Sequence, residues 1–239
     1  VSRIQAERQR YQSWRETYLR AFVVARSRFA EDALVQAVAR GVEQYVVLGA
    51  GLDTFAFRNP YTTLKVFEVD HPATQGWKRR QLAAAGIDVP RSMTFVPVDF
   101  EAQLLSERLR AAGVRTDAPA FFSWLGVSMY LTREVVIDTL RYVVSFARGS
   151  GIVFDYSRSL ATLSVAHCLI VRAVMLKLAV IGEPWRALFT TQELYGLLGM
   201  LGYTHVEDIS PAAINARYFS ARSDMLRVGG TGGLIKAWV

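Results

Sequence analysis

A single cysteine, Cys168, in 239 residues excludes an intramolecular disulfide and any cluster of cysteine ligands. It stands in an apolar stretch and reads as a small buried hydrophobe. Histidine is nearly as scarce. His71, His167 and His205 lie far apart without the spacing of a metal site, so no metal is expected. Charged residues make up only 21% against 51% hydrophobic, which excludes a disordered chain. Long apolar runs are missing as well. The greasiest stretch, 160–181, is broken by His167, Arg172 and Lys177, whereas a bilayer span takes about 20 apolar residues in a row. No signal-peptide pattern opens the chain. A soluble, cytoplasmic protein with no membrane partner is the expectation.

The net charge of +7 raises the question of nucleic acid. Eight arginines (3, 8, 10, 15, 20, 26, 28 and 40) fall within residues 1–40, opposed by Glu7, Glu16, Glu31 and Asp32. They are interleaved with apolar residues, as on an amphipathic helix with a solvated polar face. There is no RNA-binding signature, zinc-finger spacing or lysine-rich tail. The charge is therefore assigned to attraction of a small acidic molecule, with no nucleic acid expected. The oligomeric state is left open.

From residue 45 onward, β-rich runs alternate with helical patterns. The runs are 45–48, 64–69, 93–98, 120–125 and 152–154, the last ending near Asp155. Pro72 suits a first helical turn and Gly86 a helix stop. A second helix is expected over 101–112, and Thr132 caps the one after the fourth strand. This rhythm predicts a Rossmann-like α/β fold, a mostly parallel sheet with helices on both faces. Residues 158–181 then read as one or two inserted apolar helices. Thr190 and Glu193 form a T-x-x-E capping box. Runs 205–209 and 234–239 complete seven strands, the last two as an antiparallel hairpin. One domain over 1–239 is expected.

In such sheets, ligands bind outside the carboxyl ends of the strands. The first strand runs into Gly49-Ala50-Gly51-Leu52-Asp53-Thr54, where glycines let the backbone turn and approach a ligand. A tight turn alone explains such a pair of glycines equally well. Asp70, closing the second strand, suits a pair of ribose hydroxyls. Two cofactor classes share this geometry, dinucleotides and S-adenosylmethionine. Thr54 replaces the third glycine of a dinucleotide loop, and no lysine follows as in a P-loop. Asp99, closing the third strand, suits the exocyclic amine of adenine. The balance favours S-adenosylmethionine, with a nicotinamide-dependent oxidoreductase as the alternative.

The run Val46-Val47-Leu48-Gly49-Ala50-Gly51-Leu52-Asp53-Thr54, followed by Phe67-Glu68-Val69-Asp70-His71-Pro72, resembles the leucine carboxyl methyltransferase family. The resemblance runs from about residue 26 to the C-terminus and weakens after Asp155. It implies the class I methyltransferase form of the fold. It also implies S-adenosylmethionine as cofactor and methylation of a carboxylate, in some relatives that of a polyketide. Arg26 resembles the arginine that pairs with the cofactor's methionine carboxylate, with Arg28 as a rival. Gly49, Ala50 and Gly51 would line the methionine part, Asp70 the ribose, and Asp99 with Phe100 the adenine. Leu125 and Gly126 fall where the fourth strand passes under the cofactor. Many relatives carry a glutamate where this chain has Leu125, which would leave the cofactor's amino group to backbone carbonyls and keeps a non-catalytic relative as a further alternative.

A carboxylate acceptor is ionised at neutral pH and needs no general base, whereas a hydroxyl usually does. No Cys–His or Asp–His pair stands out near the strand ends, so carboxyl O-methylation is expected ahead of hydroxyl O-methylation and no catalytic residue is named. His71, just before Pro72, reads as structural and Tyr130 as a possible substrate neighbour. N-terminal helices within 1–40 and inserted helices within 158–186 are expected to form a lid, walled by Trp14, Tyr18, Phe22, Trp185 and Phe189. Arg158, Arg172 and Lys177 could draw in an acidic substrate.

Overall fold

A computed structural model describes residues 2–162, 165–180, 182, 184–224, 226–229 and 232–239, with side chains from residue 18 onward except at 162–167, 170 and 174. The side chains of Trp14 and His167 therefore lie outside those described.

Five strands follow the expected rhythm: β1 (Gln44–Leu48), β2 (Lys65–Asp70), β3 (Met93–Pro97), β4 (Ala120–Trp124) and β5 (Gly151–Arg158). A two-residue β6 (Leu188–Phe189), then β7 (His205–Asp208) and β8 (Gly232–Trp238), complete the sheet. The order is β3-β2-β1-β4-β5-β8-β7, with β6 beside β5. The first five strands are mutually parallel, and only β8 runs against its neighbours.

The helices are α1 (Ser2–Ala39), α2 (Pro72–Ala84), α3 (Leu105–Ala111), α4 (Arg133–Val144), α5 (Val165–Val180), α6 (Thr191–Leu201) and α7 (Pro211–Tyr218). Side chains alternate across each strand. Val46 and Leu48 of β1 join one core with Leu109 of α3, Leu140 of α4 and Leu198 of α6. Tyr45 and Val47 join the other with α1 and Ile214 of α7. Both faces are thus covered, and β1 and β4 are buried along their whole length, as expected of central parallel strands. Small side chains set the approach of α1. Ala21, Ala25, Ala33 and Ala37 are all buried, and their spacing of one or two turns keeps them on one stripe.

Several boundaries differ from those read in the sequence. β5 continues past Asp155 to Arg158, because a polar residue can stay in a central strand when its hydrogen bonds are met. The N-terminal segment is one long helix. The helix expected from residue 101 begins at Leu105, since Asp99 first closes a turn with Glu101 and Gln103. β7 and β8 are antiparallel neighbours but no hairpin: α7 lies between them, started by Ser210, which caps Ala213, and by Pro211. Cys168 is half-buried, since α5 presents part of its surface to solvent. The capping box at Thr190 and Glu193 forms in both directions, and Thr132 caps α4. Among the described residues no helix is long and apolar enough to cross a membrane.

Candidate cofactor-binding site

The chain leaves β1 in a turn that needs glycine. Gly49 and Gly51 have φ of 68° and 48°, in the left-handed region. A Cβ on Gly49 would lie 2.1 Å from Cγ2 of Val127, so the loop after β4 passes directly across the missing side chain. The amides of Gly49 and Ala50 both donate to the Val69 carbonyl, at 2.8 and 3.0 Å, which stitches the turn to the end of β2.

Asp70 is fixed by backbone. Its Oδ2 accepts from the Gly51 amide at 2.5 Å and its Oδ1 from the His71 amide at 2.7 Å. Each oxygen keeps a further lone pair for a ligand. His71 caps α2, its Nδ1 accepting from the Ala73 amide, in line with its structural reading. Its Nε2 lies 4.0 Å from Oδ2 of Asp99. The fold thus brings together a His–Asp pair that the sequence does not suggest, placed at the ends of β2 and β3. Asp99 accepts from the Glu101 amide at 3.0 Å. Phe100 packs against the core below α3 and α4.

β4 ends at Trp124. Leu125 packs against the α1-side core, and Gly126 turns the chain with φ of 78°. The Gly126 amide donates to Oδ1 of Asp155 at 2.6 Å, and Oδ2 of Asp155 meets Nη1 of Arg26 at 2.5 Å. Ser128 Oγ donates to the Asp155 carbonyl at 2.6 Å. Asp155 has no exposed surface. Burial raises its pKa above the usual carboxylate range, while Arg26 and the Gly126 amide pull it back. Arg26 keeps a small exposure, and its Nε is buried without a partner.

Successive strands therefore place Asp99, Asp70, the Gly49–Gly51 turn, Gly126 and Asp155 in one row, with Arg26 of α1 closing its far end. Four inter-strand steps of about 4.8 Å make that row about 19 Å long. Arg28 is separate from it, paired on the surface with Asp32 one helical turn away. Asp155 is the group that the sequence reading omits from the site. Its signal is a lone carboxylate inside the apolar run Gly151-Ile152-Val153-Phe154-Asp155-Tyr156.

Among the described residues, the aromatics expected to wall a lid do not form one group. Tyr18 and Phe22 of α1 lie against the positions of Gly229 and Gly232, beside the start of β8. Phe189 is buried on the opposite face of the sheet, because β6 pairs with β5 and turns it into the core under the Arg133 guanidinium. Trp185 is half-buried, with an unpaired indole nitrogen. Arg158 pairs loosely with Asp208 at 3.4 Å, whereas Arg172 and Lys177 are exposed on α5.

Below the glycine turn lies a second polar group. Lys78 donates to the Asp53 carbonyl at 2.7 Å and to Oε2 of Glu68 at 2.6 Å, while Gln75 donates to the Glu68 and Val96 carbonyls. It ties the turn to α2 and β2 from beneath.

This sheet order, with a glycine turn after β1 and carboxylates after β2 and β3, defines a class I methyltransferase fold. The chain belongs to the leucine carboxyl methyltransferase family, whose model matches residues 2–144. The Bacillus subtilis protein YktD, assigned by name to the S-adenosyl-L-methionine-dependent methyltransferases, is 40% identical over 206 residues, 85% of this chain and 67% of its own. A relative from Parafrankia, assigned to the same class, is 32% identical over 60% of this chain and 46% of its own. The chain thus spans about two thirds of the first relative and about half of the second. A Streptomyces avermitilis protein of the family called DUF574 superposes with a TM-score of 0.58 at 16% identity, over 92% of this chain and 83% of its own. Human N-acetylserotonin methyltransferase, solved with S-adenosylmethionine, does so with a TM-score of 0.52 at 15% identity, over 93% and 50%. At these identities the likeness concerns the fold.

Proposed function

We propose that this chain transfers a methyl group from S-adenosylmethionine to an oxygen of a small acidic metabolite, first of all to a carboxylate such as that of a polyketide-type acid. The observation that carries this reading is the row of strand ends that closes on Arg26. The guanidinium has one nitrogen engaged by Asp155 and a buried, unpaired Nε on its other side. A carboxylate binds such an edge through two parallel hydrogen bonds, so the methionine end of the cofactor fits there. Gly49, Ala50 and Gly51 leave room for the tail, Asp70 holds the ribose, and Asp99 with Phe100 flanks the adenine.

The bound cofactor supplies an electrophilic methyl on a sulfonium. What remains for the protein is to align the acceptor with that methyl and to exclude water. The His71–Asp99 pair stands at the adenine end of the row, and at the other end Arg26 and Asp155 are committed to each other. A carboxylate acceptor, which needs no proton removed, suits that arrangement better than a hydroxyl. The N-terminal helical segment within 1–40 and α5 within 158–186 are assigned to a lid over the acceptor, within one methyltransferase domain.

The test is turnover of S-adenosylmethionine with matched panels of carboxylic acids and phenols. Methyl esters are the expected products, and turnover of phenols alone would overturn the carboxylate reading. A thermal-shift comparison decides the cofactor. S-adenosylhomocysteine is expected to raise the Tm, and NAD to leave it unchanged.

A further inference from the structure

Asp155 is the one carboxylate in the row that a ligand cannot touch. Its side chain has no exposed surface, and both oxygens are occupied, one by the Gly126 amide at 2.6 Å and the other by Arg26 at 2.5 Å. Burying a carboxylate is costly unless its partners compensate. The fold gathers three contacts on this one residue, since Ser128 Oγ also holds its carbonyl at 2.6 Å. Each partner lies beside the point where β4 releases the chain.

The partners themselves face the candidate site. Gly126 has φ of 78°, and a Cβ there would lie 2.6 Å from Nη2 of Arg26. The guanidinium therefore rests directly on the Gly126 backbone. Asp155 takes Nη1, which leaves the edge made by Nε and Nη2, and Nε is buried with no acceptor. An arginine on a surface helix is free to choose among many rotamers. This one has lost that choice to a residue 129 positions away.

We infer that Asp155 is a positioning residue for the amino-acid end of the cofactor: it fixes Arg26 and the Gly126 amide together, so that the Nε–Nη2 edge of Arg26 is held ready for a carboxylate. The inference rests on the proposed cofactor reading and deepens it. Asp155 acts through Arg26 and makes no ligand contact of its own. A defect at Asp155 must then show itself only with ligands that carry the amino-acid tail.

The experiment compares two probes by calorimetry. S-adenosylhomocysteine has the carboxylate, and 5′-methylthioadenosine keeps the nucleoside and sulfur but lacks the amino-acid end. In D155N, affinity for S-adenosylhomocysteine is expected to fall about tenfold while that for methylthioadenosine stays within twofold. Arg26→Met should give a similar loss, and adding D155N to it should cost nothing more, because the two residues act as one unit. Equal loss with both probes, or losses that add in the double variant, would overturn the inference. Should D155N not fold, R26M/D155L replaces the ion pair by apolar groups and is compared with R26M. Equal affinity for S-adenosylhomocysteine supports the unit, and a further loss refutes it. Failure of the unsubstituted protein to bind either probe would instead overturn the cofactor reading itself.

Discussion

Lys78 and Glu68 meet at 2.6 Å with both side chains at 5% exposure or less, and Lys78 also holds the Asp53 carbonyl of the loop after β1 at 2.7 Å. The pair is incompletely satisfied, since Oε1 of Glu68 is buried without a partner. Burial pushes the Glu68 carboxyl up to about 7, against the pull of Lys78.

A raised acid pKa makes stability depend on pH with a definite sign. Above about 4.5 the unfolded chain releases the Glu68 proton that the folded chain retains, up to about 7. The contribution is complete below the first value and lost as pH rises through the second. It is worth on the order of 3 kcal/mol, from about 1.4 kcal/mol for each pH unit of separation. Thermal melts between pH 5 and 8 should show Tm falling as pH rises, and Glu68→Gln should flatten that slope. An unchanged slope in E68Q would assign it to other carboxylates.

Removing the other partner has a different outcome. Lys78→Met leaves Glu68 buried without its cation and also frees the Asp53 carbonyl. Breaking a buried pair from one side costs about 3–5 kcal/mol. Denaturant unfolding of K78M at pH 8, where Glu68 of the unsubstituted protein is ionised, is expected to show a loss of that size.

The parts of this architecture that are legible in the sequence are those with local causes. The Gly49–Gly51 turn, the carboxylates at Asp70 and Asp99, the Thr132 cap and the Thr190–Glu193 box each follow from residues within a few positions of one another. The partnership of Arg26 with Asp155 joins α1 to β5 across 129 residues, and no spacing rule reaches that far. Reading the fifth strand as ending near Asp155 hides the same fact, because a buried carboxylate looks like a strand terminus until its donors are known. The α7 helix is a different case. Its start signal, Ser210 before Pro211, is present in the sequence, but a helix of eight residues is too short to show a clear helical period. β6 has only two residues, too few for any periodicity, so the placement of Phe189 depends on its pairing with β5.

Arg26 and Arg28 offer a clean contrast on one helix. Arg28, itself largely exposed, pairs with Asp32, which Arg217 and Tyr218 also hold, so its own ion pair contributes roughly 0–1 kcal/mol. Arg28→Ala should leave S-adenosylhomocysteine affinity unchanged within twofold in calorimetry and shift the Tm only slightly. A loss comparable to that of an Arg26 variant would exchange the roles of the two residues.

Gly49 separates backbone need from ligand need. A methyl group at 49 would meet Val127 Cγ2 at 2.1 Å, and the residue would have to hold φ at 68°. Holding a non-glycine residue there costs on the order of 1 kcal/mol or more, and the clash adds to it by driving the β4 loop away from the turn. Gly51 has a similar φ, but a Cβ there meets nothing within 4 Å. Gly51→Ala should therefore lose about 1 kcal/mol of stability from backbone strain alone. Gly49→Ala should lose more, together with at least tenfold in affinity for S-adenosylhomocysteine, because Val127 adjoins the Gly126 amide and the Arg26 guanidinium that rests on it. Denaturant melts and calorimetry on both variants test the ordering. If G49A binds as tightly as G51A, the approach of Val127 to the turn has no bearing on the ligand.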